Sequence, residues 1–308
     1  MDMMIGKICG TGSSIPVKIM DNDDLSNMVD TNDAWIRERT GVEKRHIAES
    51  ESTVSMAVEA GRQALAQTGI RPEELDMIVV STMSPDAVLP CTACEVQKAI
   101  GAEGAVCFDL QAACTGFIFV YNTAQAYIQS NMCRTVLLIG SERLSRLVDW
   151  TDRGTCILFG DGAGAAVLKA AEGRAYLPVS HSDGKKGEAL TCDRYIHMDG
   201  RAVFQFAVTR VPEVIREVLT KNELLMDDID YFVLHQANRR IVEAVAKRLR
   251  QPIEKFPMNL QEYGNTSSAS IPILLDEMNR SGKLKKGQKL VVAGFGAGLS
   301  WGASIVEW

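Results

Sequence analysis

The chain repeats itself, and that constrains its fold more than any single motif does. "RPEELDMIVVSTM" (71–83) and "LLMDDIDYFVLHQ" (224–236) each run from an acidic helix tail through Leu/Ile–Asp into an apolar stretch. "FGDGAGAAVL" (159–168) and "GFGAGLSWGASIV" (294–306) each place a glycine-rich turn before a strand of small residues. Two matches in the same order indicate a duplicated unit. The intervals agree as well, with 38 residues from Asp76 to Cys114 and 35 from Asp230 to Asn265. The expectation is two similar halves, 1–172 and 173–308, joined at about 170–175. Within them "LDMIVVSTM" (75–83) and "TVLLIG" (135–140) read as buried strands. "TVSMAVEAGRQALAQTGI" (53–70) reads as an amphipathic helix, with Thr53 as N-cap and Gly69 as its stop. Strand and helix alternating in this way predict an α/β fold with covered sheets.

A chain of 308 residues with 46% hydrophobic and 23% charged residues has ample material for a core. Its net charge of −6 argues against general nucleic-acid binding, which rests on neutralising phosphates. The start, MDMMIGKICGTG, lacks a basic segment followed by an apolar one, so no secretory signal is read there. The apolar stretch 290–306 is short for a membrane span and rich in glycine; it reads as two buried strands around a turn. A cytoplasmic protein without membrane contact is expected. Its eight cysteines are expected to be reduced thiols. Cys91 and Cys94 form one CxxC, but no second pair or suitably spaced histidine accompanies it, so no metal site is read there.

Three polar stretches interrupt the apolar pattern at strand exits. In "DLQAACTGFIFV" (109–120), Cys114 stands at a strand-to-helix turn, where a helix N-terminus favours thiolate. A packed structural thiol fits that position too. In "VLHQANRRI" (233–241), His235 leaves a buried strand and polar groups follow at once. In "YGNTSSASIPILL" (263–275), Asn265 could cap a helix or aim its amide into a cleft. "AGFGAGLSWG" (293–302) offers tightly turned backbone N–H groups of the kind that hold an oxyanion. It is not a nucleophile elbow, and too little chain follows it for a dinucleotide-binding βαβ unit.

Taken in order, "GTGSSIP" (10–16), "DTNDAWIRERTGVEKRHIA" (30–48), "AACTGF" (112–117), "TDRGTCILFGDGAGAAVL" (151–168), "HQANRRI" (235–241), "GNTSSASIP" (264–272) and "GFGAGLSWG" (294–302) span nearly the whole chain. Together they resemble the ketosynthase branch of the thiolase-like superfamily, and within it the β-ketoacyl-acyl-carrier-protein synthase III family, the initiating condensing enzymes of fatty-acid synthesis. The resemblance implies a five-layered αβαβα fold, a homodimer and a Cys–His–Asn site of Cys114, His235 and Asn265. It implies that Cys114 takes an acyl group from acyl-CoA as a thioester. Malonyl-acyl carrier protein would then lose CO₂, and its carbanion would attack that thioester. His235 and Asn265 would donate hydrogen bonds to the enolate, and the N–H groups of Cys114 and Ala297 to the tetrahedral oxyanion. Ala297 stands where the family often has glycine, a change that leaves the backbone donor in place.

For coenzyme A, a substrate here with no resident cofactor implied, the matching positions are Trp35 and Arg39 stacking on adenine, Thr31 and Arg153 at the nucleotide end, and Phe204 and Asn238 along the pantetheine. Arg201 stands where a neutral amide is usual, and no role is assigned to it. Arg239, Arg240, Lys247 and Arg248, with Arg250, form a basic cluster suited to an acidic carrier protein. Leu89 matches the position from which the partner subunit closes the acyl pocket. Straight-chain enzymes carry a large aromatic there, so leucine predicts a longer or more branched primer than acetyl.

Elongating ketosynthases carry histidine where Asn265 stands, and thiolases carry a second cysteine within 294–302, where this chain has none. A relative that starts polyketide or other secondary metabolism shares these motifs and remains the alternative. A non-catalytic partner subunit is a further one, which the presence of Cys114 disfavours.

Overall fold

A computed structural model describes residues 2–308 of the protein. Its backbone is built around two sheets. The first has five strands in the order Asp2–Ser14, Gly162–Arg174, Thr135–Glu142, Met77–Ser81, Val106–Leu110. The second has four, in the order Val179–Ser182, Ser300–Glu307, Lys289–Gly296, Tyr231–Leu234. Read from these ends, the first three pairings of both sheets run antiparallel, antiparallel, parallel. The central strands Met77–Ser81 and Thr135–Glu142 are buried along their whole length, which is why they read as unbroken apolar runs rather than as alternating ones.

The repeat seen in the sequence is therefore a repeat of topology, down to single side chains. Asp76 Oδ2 accepts the N–H of Thr135 at 2.9 Å, and Asp230 Oδ2 accepts that of Lys289 at 2.8 Å. Each aspartate thus starts the parallel pair of its own sheet. The chain leaves the first sheet at Arg174 and joins the second at Val179, so the 172/173 division falls in the last residues of a strand.

Helices complete five layers. Thr53–Thr68 covers the outer face of the first sheet and Gly200–Lys221 that of the second, while Gly116–Gln129 and Ser270–Arg280 lie between the sheets. The helix Gly116–Gln129 buries one broad face: Phe117, Ile118, Val120, Tyr121 and Ile128 lie on it, and one core joins them to strands of both sheets, while Ala126 is exposed on the other side. Each such large apolar side chain contributes about 1.5–3 kcal/mol by leaving water. Two corrections concern ends. Ser52, not Thr53, caps the helix Thr53–Thr68 by accepting the N–H of Ser55, while Gly69 ends it in a left-handed turn as expected. Asn265 caps no helix; its Oδ1 accepts the N–H of Ser267.

The middle layer fits only because the strands facing it are small at the crossing points. A Cβ on Gly164 would lie 2.5 Å from Ile273 N and 2.7 Å from the carbonyl carbon of Pro272. The substitution Gly164→Val is accordingly expected to destabilise the fold by about 1–3 kcal/mol. It should lower the calorimetric unfolding temperature by several degrees; an unchanged transition would mean that the helix Ser270–Arg280 can lift off without cost.

Candidate active site

The two inner helices start beside each other, and each starts in the same unusual way. Ala113 has φ +46° before the turn Ala113–Thr115 and the helix Gly116–Gln129; Ser267 has φ +49° before the turn Ser267–Ala269 and the helix Ser270–Arg280. Cys114 lies in the first turn. Residue 268, which is 38 residues after Asp230 just as Cys114 is 38 after Asp76, lies in the second. The counterpart of Cys114 in the duplication is therefore Ser268. Asn265, which the sequence intervals had paired with it, belongs to the approach of that turn.

Cys114, His235 and Asn265 line a single cavity of about 460 Å³, together with Gly296 and Ala297. All three reactive side chains are buried. The Cys114 turn comes from the first half and the other groups from the second. What holds them together is close backbone contact, since a Cβ on Gly296 would sit 2.8 Å from Cys114 N. Phe159 and Asn265 form a bridge across the halves, with the Asn265 N–H donating to Leu158 O at 2.8 Å and the Gly160 N–H to Asn265 O at 3.1 Å. The fully buried Arg45 props this bridge by donating to Ile157 O at 2.8 Å and Asn22 Oδ1 at 2.9 Å, and burial pulls its pKa down to about 10.

Burial sets the protonation states. It pushes the Cys114 thiol up to about 12, partly offset by the neighbouring Ser267 hydroxyl. It pushes His235 down to about 3, so the imidazole is neutral near pH 7. Its tautomer follows from hydrogen-bond accounting. Ser270 Oγ lies 2.7 Å from His235 Nδ1 and accepts the Gln236 N–H at 3.3 Å. Among the described residues the Ser270 proton has no hydrogen-bond acceptor other than Nδ1, so Nδ1 is assigned as the acceptor and the ring proton to Nε2. Asn265 is oriented by the same logic. Its Oδ1 accepts the Ser267 N–H at 2.8 Å, and among the described residues no hydrogen bond engages Nδ2, which remains available as a donor. The site thus combines a thiol at the start of a buried helix with an imidazole N–H, an amide N–H₂ and a glycine-rich backbone turn. That set suits a reaction in which negative charge develops on a carbonyl oxygen.

Toward its exposed end the cavity is lined by Trp35, Arg39, Arg201, Phe204 and Asn238. The Trp35 ring has two guanidinium neighbours, Arg39 at 4.7 Å and Arg153 at 4.8 Å from its centroid, so both arginines share the indole. Asn238 caps the helix Arg239–Leu249 through Oδ1 and donates Nδ2 to Arg39 O at 3.0 Å. Thr31, Arg153 and Leu89 are not part of the cavity wall. Leu89 is 82% exposed on the surface of its own chain. Within the basic cluster Arg239 is half-buried and donates to Arg37 O, whereas Arg240, Lys247 and Arg248 are exposed on one helix. The reading from sequence had missed Ser270 beside His235, Ser267 beside Asn265, and Glu142, a fully buried carboxyl whose Oε1 accepts from Ser268 Oγ at 2.8 Å. The duplication was the signal that could have found them, because it marks 266–270 as the second copy of the Cys114 turn.

Comparison with known proteins bears on the whole chain. Family models for 3-oxoacyl-[acyl-carrier-protein] synthase III match residues 108–184, and for its C-terminal part residues 219–308. A β-ketoacyl-[acyl-carrier-protein] synthase III of Clostridium novyi is 46% identical, over 98% of both chains. The crystal structure of the 3-oxoacyl-[acyl-carrier-protein] synthase III of Aquifex aeolicus superposes with a TM-score of 0.96 at 43% identity, covering 98% of this chain and 100% of the other. The priming β-ketosynthase of the R1128 polyketide pathway superposes with a TM-score of 0.96 at 35% identity, covering 99% and 96%.

The tautomer argument is open to a direct check. In Ser270→Ala nothing donates to Nδ1, so histidine-selective ¹⁵N spectra should show His235 exchanging between tautomers while the remaining histidines keep their patterns. An unaltered His235 pattern would mean that another group sets the tautomer.

Proposed function

The chain belongs to the 3-oxoacyl-[acyl-carrier-protein] synthase III family, and from that premise we propose that it condenses an acyl-CoA primer with malonyl-acyl carrier protein to begin fatty-acid synthesis. The observation that carries this reading is the meeting of Cys114, His235 and Asn265 in one cavity, each with a free polar atom of the required kind. Cys114 as thiolate attacks the carbonyl carbon of the acyl-CoA thioester. The oxyanion forms against the N–H groups of Cys114 and Ala297, each such donor being worth about 3–4 kcal/mol. Coenzyme A leaves as its thiol, taking up the proton that the Cys114 thiol gave up, and the acyl group stays on sulfur. Malonyl-acyl carrier protein then enters. His235 Nε2–H and Asn265 Nδ2–H donate to its thioester oxygen while the carboxylate departs as CO₂. The resulting enolate carbon attacks the Cys114 thioester, the C–S bond breaks, and the thiolate is regenerated with release of β-ketoacyl-acyl carrier protein.

The nucleotide end of coenzyme A is assigned to Trp35, Arg39, Arg153 and Thr31, and the pantetheine to Phe204 and Asn238. The shared indole supports this assignment, because adenine can replace one guanidinium as its stacking partner. The carrier protein is assigned to Arg240, Lys247 and Arg248, with Arg239 holding the helix in place. The chain is taken to work as a cytoplasmic homodimer. In support, the edge strand Val106–Leu110 pairs with Met77–Ser81 on one side and has no neighbour among the described residues on the other, Val106 is 60% exposed, and among the described residues no helix is long and apolar enough to cross a membrane. Leu89 is then free to reach the partner's acyl pocket. The similarity to the R1128 priming enzyme supports a polyketide-starting role as the second reading.

Incubation with a panel of acyl-CoAs, followed by mass spectrometry, should place one acyl mass on Cys114. Cys114→Ala should abolish both this label and condensation, and a variant that kept condensing would overturn the mechanism. In initial-rate assays isobutyryl- or hexanoyl-CoA should outpace acetyl-CoA, and Leu89→Phe should move the preference back toward acetyl. Strict acetyl preference in the unmodified enzyme would contradict the role given to Leu89.

A further inference from the structure

The two N–H groups set around one oxyanion in the mechanism above come from different halves of the chain. Cys114 lies in the turn Ala113–Thr115, and Ala297 in the turn between the strands Lys289–Gly296 and Ser300–Glu307. The close approach at Gly296 limits how near these backbones can come, but contact alone does not limit how far they part. A hydrogen bond does, because it weakens steeply with distance and angle. Among the described residues, one hydrogen bond joins segment 112–116 to segment 294–302: Thr115 Oγ1 and Ser300 Oγ lie 2.6 Å apart. Both side chains are buried, and neither lines the cavity.

Two hydroxyl protons serve three contacts here. Thr115 Oγ1 lies 2.6 Å from Ala112 O and Ser300 Oγ 3.3 Å from Ala297 O, and both carbonyls can only accept. With Thr115 donating to Ala112 O, Ser300 donates to Thr115. With Ser300 donating to Ala297 O, Thr115 donates to Ser300. Sending both protons to the carbonyls would set two oxygens against each other at 2.6 Å with no proton between them. The bond across the halves is therefore kept in either arrangement, and the shorter contact at Ala112 O favours the first. The duplication shows where this pair is confined. Thr115 stands 39 residues after Asp76, and Ala269 stands 39 after Asp230. Ser300 pairs with Gly296, the last residue of its strand, as Gly162 pairs with Glu142, the last of its own. The second copy of the pair is thus Ala269 and Gly162, without a hydroxyl. The hydroxyls stand only in the copy that carries the thiol.

We propose that Thr115 and Ser300 form a clasp that sets the spacing between the Cys114 and Ala297 N–H groups, and so positions the oxyanion site for acyl transfer. Thr115 directly follows Cys114 in the same turn. Ser300 Oγ reaches both Thr115 and the carbonyl of Ala297, so it holds residue 297 as well as the opposite turn. Both are positioning residues, since neither touches the reacting atoms. The clasp acts on the transition state rather than on binding. The oxyanion exists only while sulfur and leaving group share the carbonyl carbon, and donors that drift apart lose strength at that moment alone. The proposal rests on the reading that Cys114 accepts an acyl group.

The test compares three reagents at Cys114, each read by mass spectrometry of the Cys114 peptide over time. Acyl-CoA and p-nitrophenyl acetate both acylate sulfur through a tetrahedral oxyanion. Iodoacetamide alkylates it by displacing iodide and forms none. Thr115→Val and Ser300→Ala should each slow acylation at saturating acyl-CoA roughly tenfold, as expected for donors displaced by a fraction of an ångström, and leave the half-saturating concentration unchanged. Alkylation by iodoacetamide should keep its rate in both. The double variant should be no slower than either single one, because both remove the same bond, and Thr115→Ser, which keeps the hydroxyl, should restore the rate. Full acylation rates in both single variants would overturn the proposal. So would equal slowing of acylation and alkylation, which would show that the hydroxyls only hold the thiol, or effects that multiply in the double variant. Should Thr115→Val fail to fold, the comparison of reagents in Ser300→Ala decides the question alone. If acyl-CoA fails to label the unmodified protein while p-nitrophenyl acetate succeeds, the function proposed above is contradicted and the clasp is judged on the ester. If both fail while iodoacetamide reacts, the clasp is overturned too, since no oxyanion forms at the sulfur.

Discussion

The contact between the Cys114 turn and the end of the strand Lys289–Gly296 is the one on which the rest of the site depends. The turn belongs to the first half and the strand to the second, and their backbones meet where any side chain at residue 296 would collide with Cys114 N. That approach puts the sulfur, the imidazole at the exit of the neighbouring strand Tyr231–Leu234 and the backbone turn at Ala297 around one cavity. Small residues permit the contact, and the large side chains of the inner helices on either side enforce it. A protein interior has little room to relax, so a shift of the inner layer would be felt at the sulfur.

Burial makes this site electrostatically quiet. It raises the thiol and lowers the imidazole, so the ground state holds two neutral groups rather than a thiolate–imidazolium pair. Such a site must work through dipoles aimed at charge that appears during reaction, and its hydrogen bonds are arranged accordingly. Ser270 assigns the ring proton to Nε2, and the Ser267 amide occupies the Asn265 oxygen so that the nitrogen is left over.

The exposed end follows different physics. Two guanidinium groups on one indole, with Arg201 and Arg240, place positive charge at the exposed end of the cavity of a chain whose net charge is −6. This contrast favours the approach of phosphate-bearing and acidic partners to one face.

Much of this was legible in the sequence. The apolar runs at 75–83 and 135–140 announced covered strands because strands buried on both faces have no polar side to show. The repeated Asp-plus-strand pattern reflected a real duplication, since Asp76 and Asp230 each anchor a parallel pair. Cys114, His235 and Asn265 could be named because each breaks an apolar pattern at a strand exit. The interval count nevertheless set Cys114 against Asn265, whereas the fold pairs it with Ser268, because equal intervals of 38 residues lead to a serine that carries no sign of its place in the sequence. Ser270, Ser267 and Glu142 were out of reach for a plain reason. A serine or glutamate in a row of letters gives no sign of facing a histidine ring or a thiol from another part of the chain. The sequence by itself determined the layers, the duplication and which polar residues stand at the strand exits around the cavity, because these depend on local pattern and residue chemistry. Tertiary structure alone decided which imidazole nitrogen carries the proton, which amide atom is free and what stands behind the sulfur, because these depend on atoms that only packing brings within 3 Å of each other.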